Sequence, residues 1–246
     1  MRHFKNFKTC VYCTAQTLAS LDETTLARDY AYLEKYVGID KVYLETYRDG
    51  TWVAIDHMKM IQNFFKEHGV EIAGGITTVT PPLEKDDAKR QRLFQTFCYS
   101  NEAMRTYLKK IVTYTAELFD EIILDDFFFT SCTCDDCLRE RSNLSWAEFR
   151  SKKMIDVAEN LVLKPAKLAN PSVKVTIKYP NWRESYHETG YVPKIQPSMF
   201  DKIYTGTETR NTAHTDQHLP RYLSYSIMRY MEHVAPGRNG GGWFDT

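Results

Sequence analysis

The sequence lacks any long block of charge of one sign. Its 32 lysines and arginines balance 32 aspartates and glutamates, so the formal net charge at pH 7 is zero. A protein that binds nucleic acid or an anionic membrane normally shows a basic patch or an excess of basic residues. The sequence therefore predicts neither of these partners.

Long hydrophobic runs are also missing. No stretch has the length of a membrane span, and the residues after Met1 do not form the apolar segment of a secretory signal. We expect a soluble chain. Its localisation stays open, because the sequence does not show whether a leader was removed. Low-complexity linkers and shifts of composition do not occur, and hydrophobic residues make up 43% of the 246. We therefore predict a single barrel domain over 1–246, with a homo-oligomer left open.

Short β-branched or aromatic runs alternate with longer amphipathic stretches, an order typical of βα units on a parallel sheet. Helices start at two predicted capping boxes, Ser20 with Glu23 and Ser145 with Glu148. The helices are predicted near 22–36, 54–68, 88–118, 145–168 and 219–234. The strands are predicted near 9–14, 40–46, 70–76, 120–125, 173–178, 201–205 and 240–244.

Seven strands are one short of a closed barrel. The pattern favours an α/β fold, a (β/α)₈ TIM-barrel-like architecture that is incomplete at the C-terminus. Either the chain is a fragment of a longer protein or an eighth strand has escaped recognition. An open, doubly wound parallel sheet is the alternative fold.

Residues that close the strands of such a barrel face the substrate. Here they are carboxylates, aromatics and amides, a mixture that suits a carbohydrate, because aromatic faces stack on sugar rings and polar groups bind hydroxyls. Cleavage of a glycosidic bond needs two carboxyl groups. We predict Asp126, at the end of strand four, as the acid/base and Asp245, after strand seven, as the nucleophile. A pair of aspartates can also merely end a strand.

Neighbouring residues on a strand point to opposite sides, so Asp125 is predicted to be a supporting or substrate contact. Glu208 is a reserve nucleophile, and Glu45 has a surface ion pair with Arg48 or Lys41 as its alternative role. The residues predicted to bind substrate are Glu45, Arg48, Asp125, Lys178, Asn181, Trp182, Glu208 and Trp243.

Six cysteines are few for a disulfide scaffold, and half of them form one cluster. Three thiols spaced as C-x-C-x-x-C can surround one ion, and a fourth thiol lies in the preceding βα loop. A disulfide, a redox-active pair and inert packing are the alternatives. Cys10 and Cys13, on opposite faces of the first strand, are predicted to lie in the core. The spacing predicts a structural zinc, and no catalytic cofactor, held by Cys98, Cys132, Cys134 and Cys137.

The acidic end of strand four, the C-x-C-x-x-C loop and the earlier Cys98 together resemble the β-galactosidases of glycoside hydrolase family 42. The resemblance implies a (β/α)₈ barrel, retaining hydrolysis and a four-cysteine zinc site beside the active site. That family closes strand four with Asn-Glu, where this chain has Asp125-Asp126, and has a glutamate where this chain has Asp245. The resemblance therefore implies a barrel glycosidase more strongly than a β-galactosidase.

The loop between the acids and the cysteines contains Phe127, Phe128 and Phe129, which either line a subsite wall or pack beneath the loop. The leading hypothesis is a retaining glycoside hydrolase acting on a carbohydrate. A carbohydrate-binding barrel that no longer cleaves is the second hypothesis. The third is a sugar isomerase or epimerase whose divalent cation is bound by Glu45, Asp125 and Glu208.

Overall fold

The structure is a computed structural model that describes residues 4–80, 92–208 and 222–244. One sheet contains all the strands of these ranges. They are β1 (Cys10–Cys13), β2 (Lys41–Arg48), β3 (Thr51–Trp52), β4 (Glu71–Ile76), β5 (Glu121–Leu124), β6 (Lys174–Tyr179), β7 (Lys202–Gly206) and β8 (Asn239–Trp243).

Seven strands run parallel in the order β1-β2-β4-β5-β6-β7-β8, and only the short β3 is antiparallel, paired with β2. The sheet curls, so that the ring of Tyr12 on β1 lies 5.2 Å from the ring of Trp243 on β8, measured between centroids. No ladder joins β1 to β8 within the described ranges. The fold is therefore the predicted α/β arrangement, a TIM-barrel-like sheet that is incomplete.

Helices follow the strands on the outside of the sheet. The longest is α4, and a π-helical segment (Ala158–Leu163) joins α6 to α7. None of the helices in the described ranges is long and apolar enough to cross a membrane. The helices are α1 (Ala15–Ser20), α2 (Glu23–Tyr36), α3 (Ile55–Glu67), α4 (Glu102–Leu118), α5 (Asp135–Arg141), α6 (Trp146–Val157), α7 (Lys164–Ala169), α8 (Tyr186–Thr189), α9 (Gln196–Met199) and α10 (Leu223–Val234).

One of the two predicted capping boxes is confirmed. The Ser145 hydroxyl accepts a hydrogen bond from the Glu148 amide, and the Glu148 carboxylate accepts one from Ser145 N. The box predicted at Ser20 is wrong, because Ser20 already ends α1, and Asp22 caps α2 instead. The helix predicted from residue 88 begins only at Glu102, after a loop that carries part of the candidate site.

The interior of the curled sheet is packed with side chains. Tyr43, Ala73 and Ile123 form its buried centre, and the rings of Tyr12, Tyr204 and Trp243 pack against them. A Cβ atom at Gly75 would lie 2.7 Å from the Tyr12 hydroxyl, so only glycine leaves room for this ring. The packed interior forms a floor, and the candidate site lies above it at the carboxyl ends of the strands.

Candidate active site

Glu45 lies near the carboxyl end of β2 and has no exposed surface. Its carboxylate accepts hydrogen bonds from the Tyr12 hydroxyl at 2.6 Å, from the Ala15 amide at 2.7 Å and from the Thr77 hydroxyl. The guanidinium of Arg48 donates to it as well, 2.9 Å from Oε2. These four donors occupy the acceptor positions of the carboxylate, so its contacts are those of a group that holds its neighbours in place.

The alternative role of Glu45, a surface ion pair with Arg48 or Lys41, does not describe this geometry. The ion pair with Arg48 forms, but in the interior, and Lys41 pairs with Glu121 at 2.6 Å. The predicted role of Glu45 as a ligand of sugar hydroxyls stays a prediction.

Arg48 joins Glu45 to Asp125. Its Nε atom faces Glu45, and its Nη2 atom donates to Oδ2 of Asp125 at 3.0 Å. The two acids hold the guanidinium in one orientation, and they raise its pKa although burial opposes this. Because charge-assisted hydrogen bonds of this kind are directional, Arg48 fixes where the Asp125 carboxylate points.

Asp125 is buried, and its backbone amide donates to Ile76 O at the end of β4. Its Oδ1 atom accepts a hydrogen bond from the Asp126 amide at 2.8 Å. Burial disfavours the ionised carboxylate, but the positive charges of Lys178 and Arg48 outweigh it and lower the pKa of Asp125 to about 2. Asp125 is therefore ionised at neutral pH.

Asp126 has the opposite electrostatic environment, although it is the next residue. Burial and the negative charge of Asp125 raise its pKa well above the ordinary value, and Glu208 adds to the effect, while Lys178 opposes it. Its side chain keeps 15% of its surface exposed, against 6% for Asp125. Two adjacent acids with pKa values moved in opposite directions are a common arrangement in acid–base catalysis.

Lys178, on β6, connects the acids. Its Nζ atom lies 3.3 Å from Asp125 Oδ1, 3.1 Å from Asp126 Oδ2 and 2.8 Å from Glu208 Oε1. The same ammonium lies 4.2 Å from the centre of the Trp243 ring, a cation–π contact. One buried cation thus brings together carboxylates from the ends of β5 and β7.

Glu208 follows β7 and is almost fully buried. The strand ends in Gly206, where a Cβ atom would lie 2.6 Å from Glu208 Oε2 and 2.7 Å from Tyr179 O. Glycine therefore lets the chain fold the Glu208 side chain back toward Lys178. The predicted nucleophile Asp245 lies outside the described residues, whereas Glu208 contacts the same ammonium as Asp126.

Asn181 and Trp182 follow β6 and have different surroundings. The side-chain Nδ2 of Asn181 donates to the backbone oxygen of Glu208 at 3.1 Å and so supports the loop that carries Glu208. The Trp182 ring is partly buried and packs edge-on against Phe129 and Tyr191, at 5.4 Å and 5.8 Å between centroids. Their binding of substrate stays a prediction, and both stabilise the rim of the site.

Sequence reasoning did not single out Tyr12, Thr77 or Tyr191. Tyr12 and Thr77 donate to Glu45, and the Tyr191 hydroxyl donates to Asp126 O at 2.7 Å. Thr77 directly follows a strand, which is a usable signal in a barrel. The other two are an aromatic within a strand and a loop tyrosine, and nothing in their local sequence indicates the acid that each contacts.

The four predicted cysteines form one cluster. The sulfur atoms of Cys98, Cys132, Cys134 and Cys137 all lie within 4.8 Å of one another. Cys98 Sγ lies 3.6 Å from Cys134 Sγ and 3.7 Å from Cys137 Sγ. Four thiolates around a tetrahedral zinc, with bonds of about 2.3 Å, are separated by about 3.8 Å, so the cluster fits such an ion.

None of the six cysteines forms a disulfide. The cluster could hold a metal ion and packs against Phe149, with Met104 and Trp146 beside it. Cys10 corrects one expectation, since its side chain is exposed at the start of β1, whereas Cys13 packs on the outer core. Cys10 and Cys13 lie on opposite faces of β1 as expected, but the inner face of β1 is open to solvent at the start of the strand.

An uncharacterized protein of Saccharolobus solfataricus is 33% identical to this chain over 266 aligned positions. The alignment covers 98% of this chain and 43% of that protein, so this chain spans less than half the length of the curated relative that it matches.

Several solved structures share the fold. The β-galactosidase of a Rahnella species has a TM-score of 0.57 at 12% identity, covering 87% of this chain and 41% of that one. The spore cortex-lytic enzyme SleL of Bacillus cereus has a TM-score of 0.53 at 14% identity, with coverages of 99% and 52%. The β-D-glucuronidase of Dictyoglomus thermophilum has a TM-score of 0.52 at 12% identity, with coverages of 97% and 35%. At such identities the likeness concerns the fold.

This likeness of fold does not single out family 42, which stays an expectation. The family described as "probable glycosyl hydrolase, catalytic domain" matches residues 1–246, and the chain belongs to this family.

Proposed function

We propose that this chain carries the active site of a retaining glycoside hydrolase that acts on a carbohydrate, with Asp126 as the acid/base. The observation that carries the proposal is the contact of both Asp126 and Glu208 with one ammonium group, Lys178 Nζ, at 3.1 Å and 2.8 Å. These distances keep the two carboxylate oxygens within about 6 Å of each other, which is compatible with the short separation, about 5–5.5 Å, that retention requires.

The raised pKa of Asp126 suits the first step. A general acid must be protonated when substrate binds, and burial together with the charge of Asp125 favours its protonated form. In the proposed reaction Asp126 gives its proton to the glycosidic oxygen as the bond to the anomeric carbon breaks. A carboxylate attacks that carbon from the other face, and the ionised Asp126 then takes a proton from the water that releases the sugar.

Two carboxylates compete for the role of nucleophile. Asp245 follows β8, the strand that carries the nucleophile in the family that the sequence resembles. Glu208 is supported by its place beside Asp126 and Lys178. We assign the role to Glu208 and keep Asp245 as the alternative.

A panel of alkyl and unsubstituted phenyl glycosides, whose leaving groups need a proton, tests the proposal. We expect the wild type to cleave at least one member, and Asp126→Asn to lose most of the rate. The loss should be smaller for glycosides of acidic phenols, which leave without a proton. Glu67→Gln, on the exposed end of α3, is the control and should keep full activity. Equal rates for wild type and Asp126→Asn would rule out the assigned acid.

Azide separates the two candidate nucleophiles. In a variant that lacks the nucleophile, azide can attack the anomeric carbon in its place, giving a glycosyl azide of inverted configuration. We expect this product from Glu208→Gln or Glu208→Ala and not from Asp245→Asn. The reverse result would assign the role of nucleophile to Asp245, and it would still agree with the proposed glycoside hydrolase.

A sugar-binding barrel without cleavage is the second candidate function. The position of Lys178 favours this function. Its ammonium contacts Asp125, Asp126 and Glu208, and it would have to move for a substrate to reach them. Saturable binding of a sugar together with no turnover of any glycoside would support it. The isomerase hypothesis gains no such support, since Arg48 and Lys178 fill the positions among Glu45, Asp125 and Glu208 that a divalent cation would take.

A further inference from the structure

Two consecutive large residues adopt a left-handed backbone conformation in the loop before α4. Phe94 has a φ of 52° and Gln95 a φ of 55°. Residues other than glycine, asparagine and aspartate rarely adopt the left-handed region, because their Cβ atom crowds the backbone. Such strain persists only when the surroundings impose it, and it is common at ligand-binding sites.

The surroundings of this loop do impose it. Gln95 O accepts hydrogen bonds from the Thr80 amide at 3.0 Å and from the Thr80 hydroxyl at 2.8 Å. Leu93 N donates to the hydroxyl of Ser131 at 2.7 Å, across to the loop that follows β5. The chain on both sides of Phe94 is therefore fixed to two loops at the carboxyl end of the sheet.

The result is an aromatic ring held at the surface. Phe94 keeps 54% of its surface exposed, although a large apolar side chain gains by burial. Its ring contacts the edge of Phe127, with 5.3 Å between centroids and planes at 75°. Phe127 is itself half-buried, so the pair of rings is partly open to solvent.

Phe127 connects this pair to the acids. It directly follows Asp126 in the chain, and its ring lies 5.5 Å from the guanidinium carbon of Arg48, which holds Asp125. Phe94 and Phe127 therefore form a partly exposed aromatic wall, in which Phe127 directly follows Asp126 in the chain and contacts the guanidinium that holds Asp125.

We propose that Phe94 and Phe127 form a sugar-binding subsite that receives the pyranose ring on the leaving-group side of the bond to be cleaved. The inference rests on the proposed function for the side of the bond, because the ring that departs lies next to the acid that protonates its oxygen. The apolar face of a pyranose, formed by its C–H groups, stacks on an aromatic ring, whereas its hydroxyls remain available to polar neighbours.

The cysteine cluster takes part in placing this wall. Cys98 ends the segment that carries Phe94, and Cys132 follows Ser131 in the segment that carries Phe127. The cluster thus joins the two loops that supply the two rings. In this arrangement the strained loop is kept in the conformation that exposes Phe94.

Binding of a panel of di- and tetrasaccharides, followed by saturation-transfer NMR, tests the subsite without requiring cleavage. We expect Phe94→Gly to weaken the binding of every oligosaccharide that the wild type binds, by roughly tenfold, the scale of one lost stacking contact. Glycine fits the left-handed backbone, so the thermal midpoint should not fall. Leu93→Ala removes neighbouring apolar surface from the same loop and should leave affinity unchanged.

Glycosyl fluorides separate this inference from the proposed function. Fluoride has no ring to occupy the leaving-group side, so Phe94→Gly should cleave a glycosyl fluoride at the wild-type rate while its kcat/KM for a disaccharide falls. Unchanged oligosaccharide affinity in Phe94→Gly, or no oligosaccharide binding by the wild type, would overturn the subsite even if fluorides are cleaved. Binding that depends on Phe94 without cleavage of any fluoride would keep the subsite and contradict the hydrolase.

Discussion

Nζ of Lys178 lies 2.8 Å from Oε1 of Glu208, with only 4% of the lysine side chain and 2% of the glutamate side chain exposed. The two residues come from β6 and from the end of β7, and the same ammonium contacts Asp125 and Asp126 after β5. A buried lysine with one acid would form a simple ion pair. Because it contacts three acids, the lysine links the ends of three strands, and its charge contributes to the candidate site and to the stability of this end of the sheet.

Replacement of Lys178 by methionine should strongly destabilise the chain. Removing one partner leaves buried carboxylates without a countercharge, which typically costs about 3–5 kcal/mol of unfolding free energy. Urea denaturation at pH 7 measures the loss. The exposed Lys59→Met is the matched control and should change the free energy by less than about 0.5 kcal/mol. A loss as small for Lys178→Met would contradict the ion network described here.

Replacement of Asp125 by asparagine should move the pH profile of catalysis. Asp125 is ionised at neutral pH, and its charge holds the proton on Asp126. Without that charge Asp126 ionises more easily, its pKa falls, and the general acid is lost at lower pH. The alkaline limb of kcat/KM should therefore shift downward by about one pH unit. A lower rate with an unshifted limb would mean that Asp125 acts only by shape or by contact with substrate.

Asp126→Asn should stabilise the protein at neutral pH. The folded state raises the pKa of Asp126. The contribution of this group to stability is therefore fully present below its unfolded pKa and is lost as the pH rises through the folded value. Asparagine resembles the protonated acid at every pH. We expect the thermal midpoint to rise by about 2–4 °C at pH 7, equivalent to about 1 kcal/mol for a chain of this size, and to change less at pH 4.

Circular dichroism at the two pH values measures this difference. Wild type and Asp126→Asn with equal midpoints at pH 7 would show that Asp126 ionises without strain in the folded state. If the variant is more stable but less active than the wild type, Asp126 lowers stability and is needed for activity.

Cys134→Ser should remove the metal from the cluster. We expect the purified wild type to carry about one zinc ion per chain, as a closed four-thiolate site does, and the variant to carry none. Its thermal midpoint should fall, because the loops that contain Cys98 and Cys132 lose their link. Cys10→Ser changes a thiol outside the cluster and should retain the ion. Elemental analysis decides the matter, and equal metal content in the two variants would contradict the assignment.

The strand order and the acidic rim could be predicted from the sequence because both follow from local patterns. Seven parallel strands lie close to where β-branched runs were found, and Asp125 and Asp126 directly follow β5 at its carboxyl end. The thiol cluster was predictable for the same reason, since three of its members lie within six residues and the fourth in the adjacent βα loop. Short elements such as α1 and β3 escaped prediction, because so few residues give no period.

Side-chain partnerships across strands could not be predicted in this way. The sequence favoured Asp126 over its neighbour by strand alternation alone, and it left Glu45 between a surface ion pair and a sugar ligand. In the structure Glu45 accepts bonds from Tyr12, Thr77 and Arg48, which come from three separate segments. Phe94 carried no sequence signal, because its importance lies in a backbone conformation that its neighbours impose.

By itself the sequence determined which residue types lie on the rim, because side chains at the ends of parallel strands share one edge of the sheet wherever the strands are placed. Only the tertiary structure decided their chemistry. The pKa of a buried acid depends on the few ångströms between it and charges from other strands, and those distances are set when the curled sheet brings Arg48 and Lys178 beside Asp125.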